Sequence, residues 1–509
     1  MKSNILIIIL NLLLIFGSFG FSATNIDTCQ EINSGGEYVL VTNLTNSSTC
    51  IRITASNVIL DGAGYWINRT GGSGNAYGIY VYNVENVSIK NVNVADWTIG
   101  IFISYSSNNT LTNNNASSND DGIYLYDSSD NTLINNIANS NIYYGIFLDS
   151  SSNNTLTNNT MNNNLFNFGI WGDVVSDYYQ DIDTSNTVDE KPIYYWTNEK
   201  NAPNNCKNAE INESTNAGFV ALISCDNITV KNLNLSKNSH GILLVNTTNS
   251  EILNNTANSN YNGIYLYSSL NNILTNNTAN SNSYDGIYLY SSLNNILTNN
   301  TANSNSQYGI YLFSSSNNIL TNNTVNSNSY YGILLISSSN NTLRNNTMNN
   351  NEYYNFDLDG WDISDYYQDI DTSNTVDGKP IYYWTNEKNA PNNCKNAEIN
   401  ESTNAGFVAL ISCDNITVKN LNLSKNSHGI LLVNTTNSEI LNNTANSNSQ
   451  YGIYLYSSSN NILTNNTANS NSDTGIYLYF SSNNILTNNI ASLNTNIGIL
   501  LDDSSNNTL

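Results

Sequence analysis

The sequence predicts an all-β fold, a single-stranded parallel β-helix solenoid with coils of roughly 23 residues. Three observations carry this. A glycine-headed motif returns every 22 or 23 residues, aliphatic and tyrosine side chains alternate within it, and Asn, Ser and Thr fill the segment that closes each unit.

The repeat is clearest in GIYLYSSLNNILTNNTANSNSYD, which starts at Gly263 and returns at Gly286, with variants at Gly309 and Gly332. Others start at Gly78, Gly100, Gly122 and Gly145, and later at Gly406, Gly429, Gly452, Gly475 and Gly498. Within a coil, Ile264 and Leu266 fall on one face of a strand and Tyr265 and Tyr267 on the other, the period of two that an extended chain imposes. Leu274 marks a second short strand, and small Ala279 follows the next bend. The Ser, Asn and Gly clusters between them turn the chain without a helix signal. At about 3.3 Å per residue one unit traces roughly 75 Å, a fair perimeter for a closed coil. Leucine-rich repeats share the period, but their leucines recur at several fixed offsets and a helical segment usually closes the unit. One coil buries three or four side chains, too few to offset the ordering of its whole length, so stability is expected to grow with neighbours.

Asn277, Asn300, Asn323, Asn443, Asn466 and Asn489 occupy one position of the coil. They read as an inward amide ladder bonding the turns above and below. The alternative is exposed turn asparagines, some glycosylated, since N-x-S/T matches abound in a chain this rich in Asn, Ser and Thr.

Lys2 followed by an apolar run of about a dozen residues and small residues near Ser22 reads as a secretory signal peptide over 1–22, too short to span a bilayer. The chain carries 39 acids against 15 bases, a formal charge of −24, and no basic stripe, which disfavours nucleic acid as a partner. No transmembrane segment is expected in the mature chain, which points to a secreted, extracellular or cell-surface protein. In an exported protein the spacing of the six cysteines reads as three local disulfides, Cys29–Cys50, Cys206–Cys225 and Cys394–Cys413, with free buried thiols as the alternative.

The opening TCQEINSGGEYVL, then CIRITASNVILDGAGYWI with Asp61 and Gly62, resembles the first coils of NosD-type proteins, the right-handed, pectin-lyase-like parallel β-helices of archaeal and bacterial surfaces. IDTSNTVDGKPIYYW, Ile370 to Trp384, is similar to a stretch that interrupts the coils in the archaeal branch. Right-handedness is implied by this resemblance. The family name also implies copper-site maturation, but copper wants clustered His, Met or free Cys. His240 and His428 are one coil position in two duplicated segments, and Met161 and Met348 are the only methionines beyond the leader, so copper binding is disfavoured.

Ser176–Asn260 and Ser364–Asn448 are identical over 85 residues except that Glu190 corresponds to Gly378. The expected organisation is an N-terminal cap and first coils over 23–75, coils over 76–175, an inserted module over 176–225, coils over 226–351, its second copy over 352–413, and coils over 414–509 that stop as though truncated. The modules hold all four prolines and gather tryptophans, where a solenoid would place function or a brace.

Function is read less directly. The first reading is a non-catalytic surface protein, structural, adhesive or carbohydrate-binding, with a cell-surface or extracellular polysaccharide as its candidate partner. Tyr265, Tyr267, Tyr288, Tyr290, Tyr311, Tyr454, Tyr456, Tyr477 and Tyr479 are expected to face outward, stacked about 4.8 Å apart along the axis, in a ladder that could present ring faces to sugars, with Trp196 and Trp384 as further ligand candidates; the alternative is that the ladder only stabilises cross-coil pairing. The second reading is a polysaccharide lyase or glycoside hydrolase on acidic polymers, an analogy of fold. Its acids would be Asp181 with Asp183, Asp369 with Asp371, or Asp127 with Asp149, and no arginine stands beside any of them in sequence. No cofactor is required, although Asp357, Asp359, Asp362 and Asp365, followed by Asp369 and Asp371, are weak calcium candidates.

Overall fold

The computed structural model describes residues 23–509, so the leader expected over 1–22 lies outside the described residues. The chain is a right-handed parallel β-solenoid of about 21 turns with coils near 23 residues. In each regular coil a long strand, a three-residue strand and a two-residue strand or bridge pair in parallel with their equivalents one coil away. Ile264 and Leu266 sit opposite Ile287 and Leu289, then Ile310 and Leu312, then Ile333 and Leu335, all buried. Leu274, Leu297, Leu320 and Leu343 form a second buried column, and Ala279, Ala302 and Val325 a third. The heading glycine is dictated by how closely coils approach: a Cβ on Gly286 would stand 2.6 Å from Gly309 O and 2.7 Å from Asn305 Nδ2.

The asparagine ladder points inward. Asn277 donates from its backbone N–H and from Nδ2 to Asn300 Oδ1, both at 3.0 Å, and its Nδ2 also reaches Ile252 O at 2.7 Å. Asn300 bonds Asn323 in the same way, and Asn443 bonds Asn466. Two further columns, not anticipated from the repeat, run through Asn272, Asn295 and Asn318 and through Asn282, Asn305 and Asn328. The N-x-T acceptors are the preceding residues Asn276, Asn299 and Asn322, exposed and left-handed at φ near 56°, a conformation asparagine tolerates.

The duplicated modules are junctions between three solenoid segments. The first segment's long sheet ends at Phe166–Trp171. The chain then makes a 3₁₀ turn at Val175–Tyr178 and reverses, Thr187–Val188 pairing antiparallel with Lys191–Thr197. Lys191–Thr197 pairs in parallel with Phe219–Ile223, that with His240–Val245, and that with Asn262–Tyr267. The strands Phe219–Ile223 and His240–Val245 are buried on both faces. Phe219, Ala221, Ile223, Leu243 and Val245 pack with Phe168, Tyr178 and Tyr195 at the end of the first segment. Val220, Leu222, Ile242 and Leu244 face the core of the second. The free edge of Phe166–Trp171 is covered as well, because Ser239 N–H donates to Phe168 O at 2.9 Å. The same strand order recurs at Tyr354–Asp359, Lys379–Thr385, Phe407–Ile411 and His428–Val433, where Asn355 N–H donates to Lys425 O at 3.1 Å and the bond made by Ser239 N–H has no counterpart. Glu190, the single difference, holds φ 65° where Gly378 holds 72°. Each disulfide joins neighbouring coils just before a paired strand: Cys29–Cys50, Cys206–Cys225 and Cys394–Cys413, with Cα atoms 4.5, 4.9 and 4.9 Å apart.

Candidate functional site at the second junction

The tyrosines alternate with the core aliphatics, as the strand period requires, and most stand half-buried on the outer face, stacked on one another. Neighbouring coils are spaced at the distance aromatic rings stack, so Tyr288 and Tyr311 lie 4.8 Å apart at 3°, and Tyr265 and Tyr288 lie 5.0 Å apart at 15°. The rings thus stack at the spacing expected, and stacking takes up ring faces within the column while edges and hydroxyls remain toward solvent. Tyr267 and Tyr290 pair at 5.3 Å in the parallel column. Tyr265 is itself only 4% exposed, covered by the end of the first segment, and Tyr267 donates to Asp173 O at 2.8 Å there. Trp196 and Trp384 are buried, because Lys191–Thr197 and Lys379–Thr385 have cores on both sides; the tryptophans enter the following core and the adjacent Tyr195 and Tyr383 the preceding one.

The acid pairs are engaged elsewhere. Asp181 binds Lys200 at 2.9 Å, and Asp183 accepts from Ser185 N–H at 3.0 Å. Asp369 and Asp371 do have an arginine beside them, contrary to the sequence reading: Arg344, one coil earlier, lies 2.6 Å from Asp369 and 3.2 Å from Asp371. Stacking makes residues 25 apart neighbours, which linear inspection does not show. Burial opposes the Asp369 charge, but the hydrogen bonds from Arg344 and Asn389 outweigh it and hold the carboxyl below its ordinary value. Asp149 accepts from Tyr124 at 2.9 Å, and Asp127 adjoins it through a backbone bond.

The six acids proposed for calcium are scattered. Asp365 caps its own turn, accepting from Trp361 N–H at 3.0 Å; Asp362 is exposed; Asp357 is buried; Asp359 opens onto a cleft. Among the described residues no three His, Cys, Asp or Glu side chains converge as a metal-ligating group. Copper fits no better. The cysteines are bonded in pairs, Met161 and Met348 are in the core, and His240 Nε2 lies against Ile170 O at 3.2 Å.

The cleft, of about 470 Å³, lies at the second junction. Tyr451, Tyr454, Tyr456, Tyr477 and Tyr479 line it with Phe480, Trp361, His428, Gln450, Ile336, Gly360, Asp359 and Asp502. Tyr454 and Tyr477 stack at 5.2 Å, Tyr456 and Tyr479 at 5.7 Å, and His428 lies flat on Tyr451 at 5.3 Å. Trp361 projects from the rim, 83% exposed. Tyr456 donates to Trp361 O at 3.3 Å and Tyr477 to Asp502 at 3.2 Å. Burial pushes the Tyr451 hydroxyl up to about 12 and the His428 imidazole down to about 3, so the first is a lasting donor and the second is neutral. Burial also raises Asp357, behind the cleft wall, to about 7.

The sequence singles out Tyr454, Tyr456, Tyr477, Tyr479 and Asp359, but for separate roles. It does not mark Tyr451, Phe480, Trp361 and Asp502 as members of one site. The signal lies where the duplicated segments diverge: the strand ending in Trp171 in one copy ends in Asp359 in the other.

Among the described residues no helix is long and apolar enough to cross a membrane. No curated protein matches the chain in sequence. Similar solved structures include the periplasmic alginate epimerase AlgG, 13% identical, TM-score 0.23, spanning 67% of this chain and 76% of that one. Others are the Azotobacter vinelandii mannuronan C-5 epimerase AlgE4 A-module, 12% identical, TM-score 0.24, 92% and 90% covered, and a GH87 alpha-1,3-glucanase catalytic domain in complex with tetrasaccharides, 14% identical, TM-score 0.24, 83% and 63% covered. The family described as Right handed beta helix region matches residues 217–367, and the one described as Periplasmic copper-binding protein (NosD) matches 22–187 and 364–509. The NosD match covers more than half of the chain, and the chain belongs to that family.

Proposed function

We propose that the protein is an exported, non-catalytic surface solenoid that binds carbohydrate at the second junction. The observation that carries this reading is the cleft itself, a concavity in which five tyrosines, Phe480 and the protruding Trp361 surround two carboxylates. Aromatic walls give sugar C–H faces a surface, and hydroxyls and carboxylates at the rim bond the sugar hydroxyls, the mixture a small-molecule site needs. Its volume lies in the ordinary range for such sites. The family's description as periplasmic supports export. A non-catalytic role is favoured because Asp181, Asp183, Asp369 and Asp371 are already bound to side chains or backbone of their own or neighbouring coils.

A glycan array with the mature chain tests the reading. Binding is expected to one class of glycan, to fall about tenfold or more on Tyr456→Ala with Tyr479→Ala, and to survive Tyr288→Ala with Tyr290→Ala, which lie in the stacked column of the second segment, outside the cleft. An array on which the wild type retains nothing would remove the proposal.

A further inference from the structure

The two junctions share Ser176–Asn260 and Ser364–Asn448 but for one residue, while the strands entering them differ, as does the residue paired with the histidine, Asn262 opposite His240 and Tyr451 opposite His428; the cleft lies at the second. At the first, Trp171 fills the space between the segments: its ring lies 4.7 Å from His240, 5.6 Å from Tyr261 and 5.7 Å from Tyr265. At the second the same strand position is Asp359, and the cleft stands in place of the indole. The exchange is not isolated. Gly169 lies under Phe147 at the first junction, where a Cβ would come within 2.8 Å of Phe147 Cδ2 and 2.6 Å of Tyr144 Cε1. At the second the pair is Leu334 and Asp357, the smaller aliphatic leaving room for a carboxylate.

The seam differs in the same sense. Ser239 Oγ accepts from Ile170 N–H at 3.1 Å and His240 Nε2 lies against Ile170 O, whereas neither bond has a counterpart at the second junction. There Ser427 Oγ stands beside the Asp357 carboxyl instead, while the imidazole Nδ1 is unpartnered at both junctions, in His240 and in His428. His428, 3% exposed, lines the cleft.

From these differences we infer that replacing the indole of Trp171 by the carboxylate of Asp359 decides which junction binds, giving one site per chain, and that its occupant is an uncharged sugar chain. This rests on the carbohydrate reading above and adds the chemical class. The lining holds Asp359 and Asp502 and no lysine or arginine. An acidic glycan would bring its carboxylates against these with no cation to offset them, a like-charge juxtaposition that disfavours binding. Neutral hydroxyls donate to the same oxygens. Asp359 already accepts from Gly360 N–H at 2.8 Å and from Tyr366 at 3.2 Å through Oδ1, which fixes the carboxylate and leaves Oδ2 for a ligand.

The test is titration calorimetry of the mature chain with cello-, malto-, manno- and xylohexaose beside hexagalacturonate. One neutral hexasaccharide is expected to bind at one per chain, with hexagalacturonate weaker by about tenfold or more. Asp359→Trp, which copies the closed junction, is expected to abolish binding while its melting temperature stays at or above that of the wild type. Asp359→Asn, which keeps the shape and an acceptor, is expected to retain it. Unchanged binding in Asp359→Trp, or two sites per chain, would overturn the inference while leaving a carbohydrate-binding protein; tighter binding of hexagalacturonate would overturn the chemical class alone. Should no hexasaccharide bind, the carbohydrate reading itself falls. If Asp359→Trp fails to fold, Tyr477→Ala serves, with the same loss expected and retained binding counting against the site.

Discussion

Asp357 and His428 are both buried at the second junction, and they pull stability in opposite directions with pH. Burial, reinforced by Asp359, raises the folded Asp357 carboxyl from 3.8 to about 7. Folded Asp357 therefore holds its proton where the unfolded chain has lost it. Its contribution is fully present below about 3.8 and is lost as pH rises to about 7. His428, lowered from 6.5 to about 3, contributes above 6.5 and loses that contribution as pH falls toward 3. Asp357→Asn is accordingly expected to melt with the wild type near pH 4 and to exceed it by on the order of 2–4 kcal/mol at pH 8. Thermal melts across that range decide it; an offset that does not vary with pH would refute the assignment. None of this was legible in the sequence. Asp357 looked like one of several surface acids, and only the seam that its strand makes with the next segment, Asn355 N–H to Lys425 O at 3.1 Å and Ser427 beside the carboxyl, shows that it is trapped between segments.

Single coils were far more legible than their joints. The period, the alternation and the heading glycine each answer to a geometric demand of stacking, and each was readable from Gly263 onward. The ladder through Asn277 was readable as a repeated position, whereas the columns through Asn272 and Asn282 were obscured by equally frequent exposed asparagines between them. Adjacent residues Asn299 and Asn300 separate the two roles. Asn300→Ala removes the acceptor for two donors of Asn277 and is expected to cost about 2–4 kcal/mol. Asn299→Gly, in an exposed left-handed turn, is expected to change stability by less than about 1 kcal/mol. Urea denaturation of both variants checks the contrast, and equal effects would mean that the buried amides are not the ties between coils.

Across the whole molecule, the modules are where regular repetition gives way to shared burial. The runs FVALI and GILLV, Phe219–Ile223 and Gly241–Val245, lack the alternation of GIYLY, and uninterrupted apolar strands are a signature of burial on both faces. That signal was present but was overshadowed by the surrounding prolines, tryptophans and charges. Because Phe219 meets Phe168 at 5.2 Å across the junction, its loss acts on two segments together. Phe219→Ala is expected to destabilise by about 3–5 kcal/mol and to shift a single calorimetric transition downward. If only a minor portion of the heat absorption moved, the segments would be melting independently.

A strand with cores on both sides is at once the lid of the segment before it and the foundation of the segment after it. A block copied from one such joint to the next arrives with both of its ends already finished, so tandem duplication of the 188 residues from Phe166 to the position of Tyr354 leaves no raw edge to aggregate. Chains built this way can lengthen in whole increments of that block, and each new copy starts as a sealed joint or an open one according to the few residues of the strand that enters it.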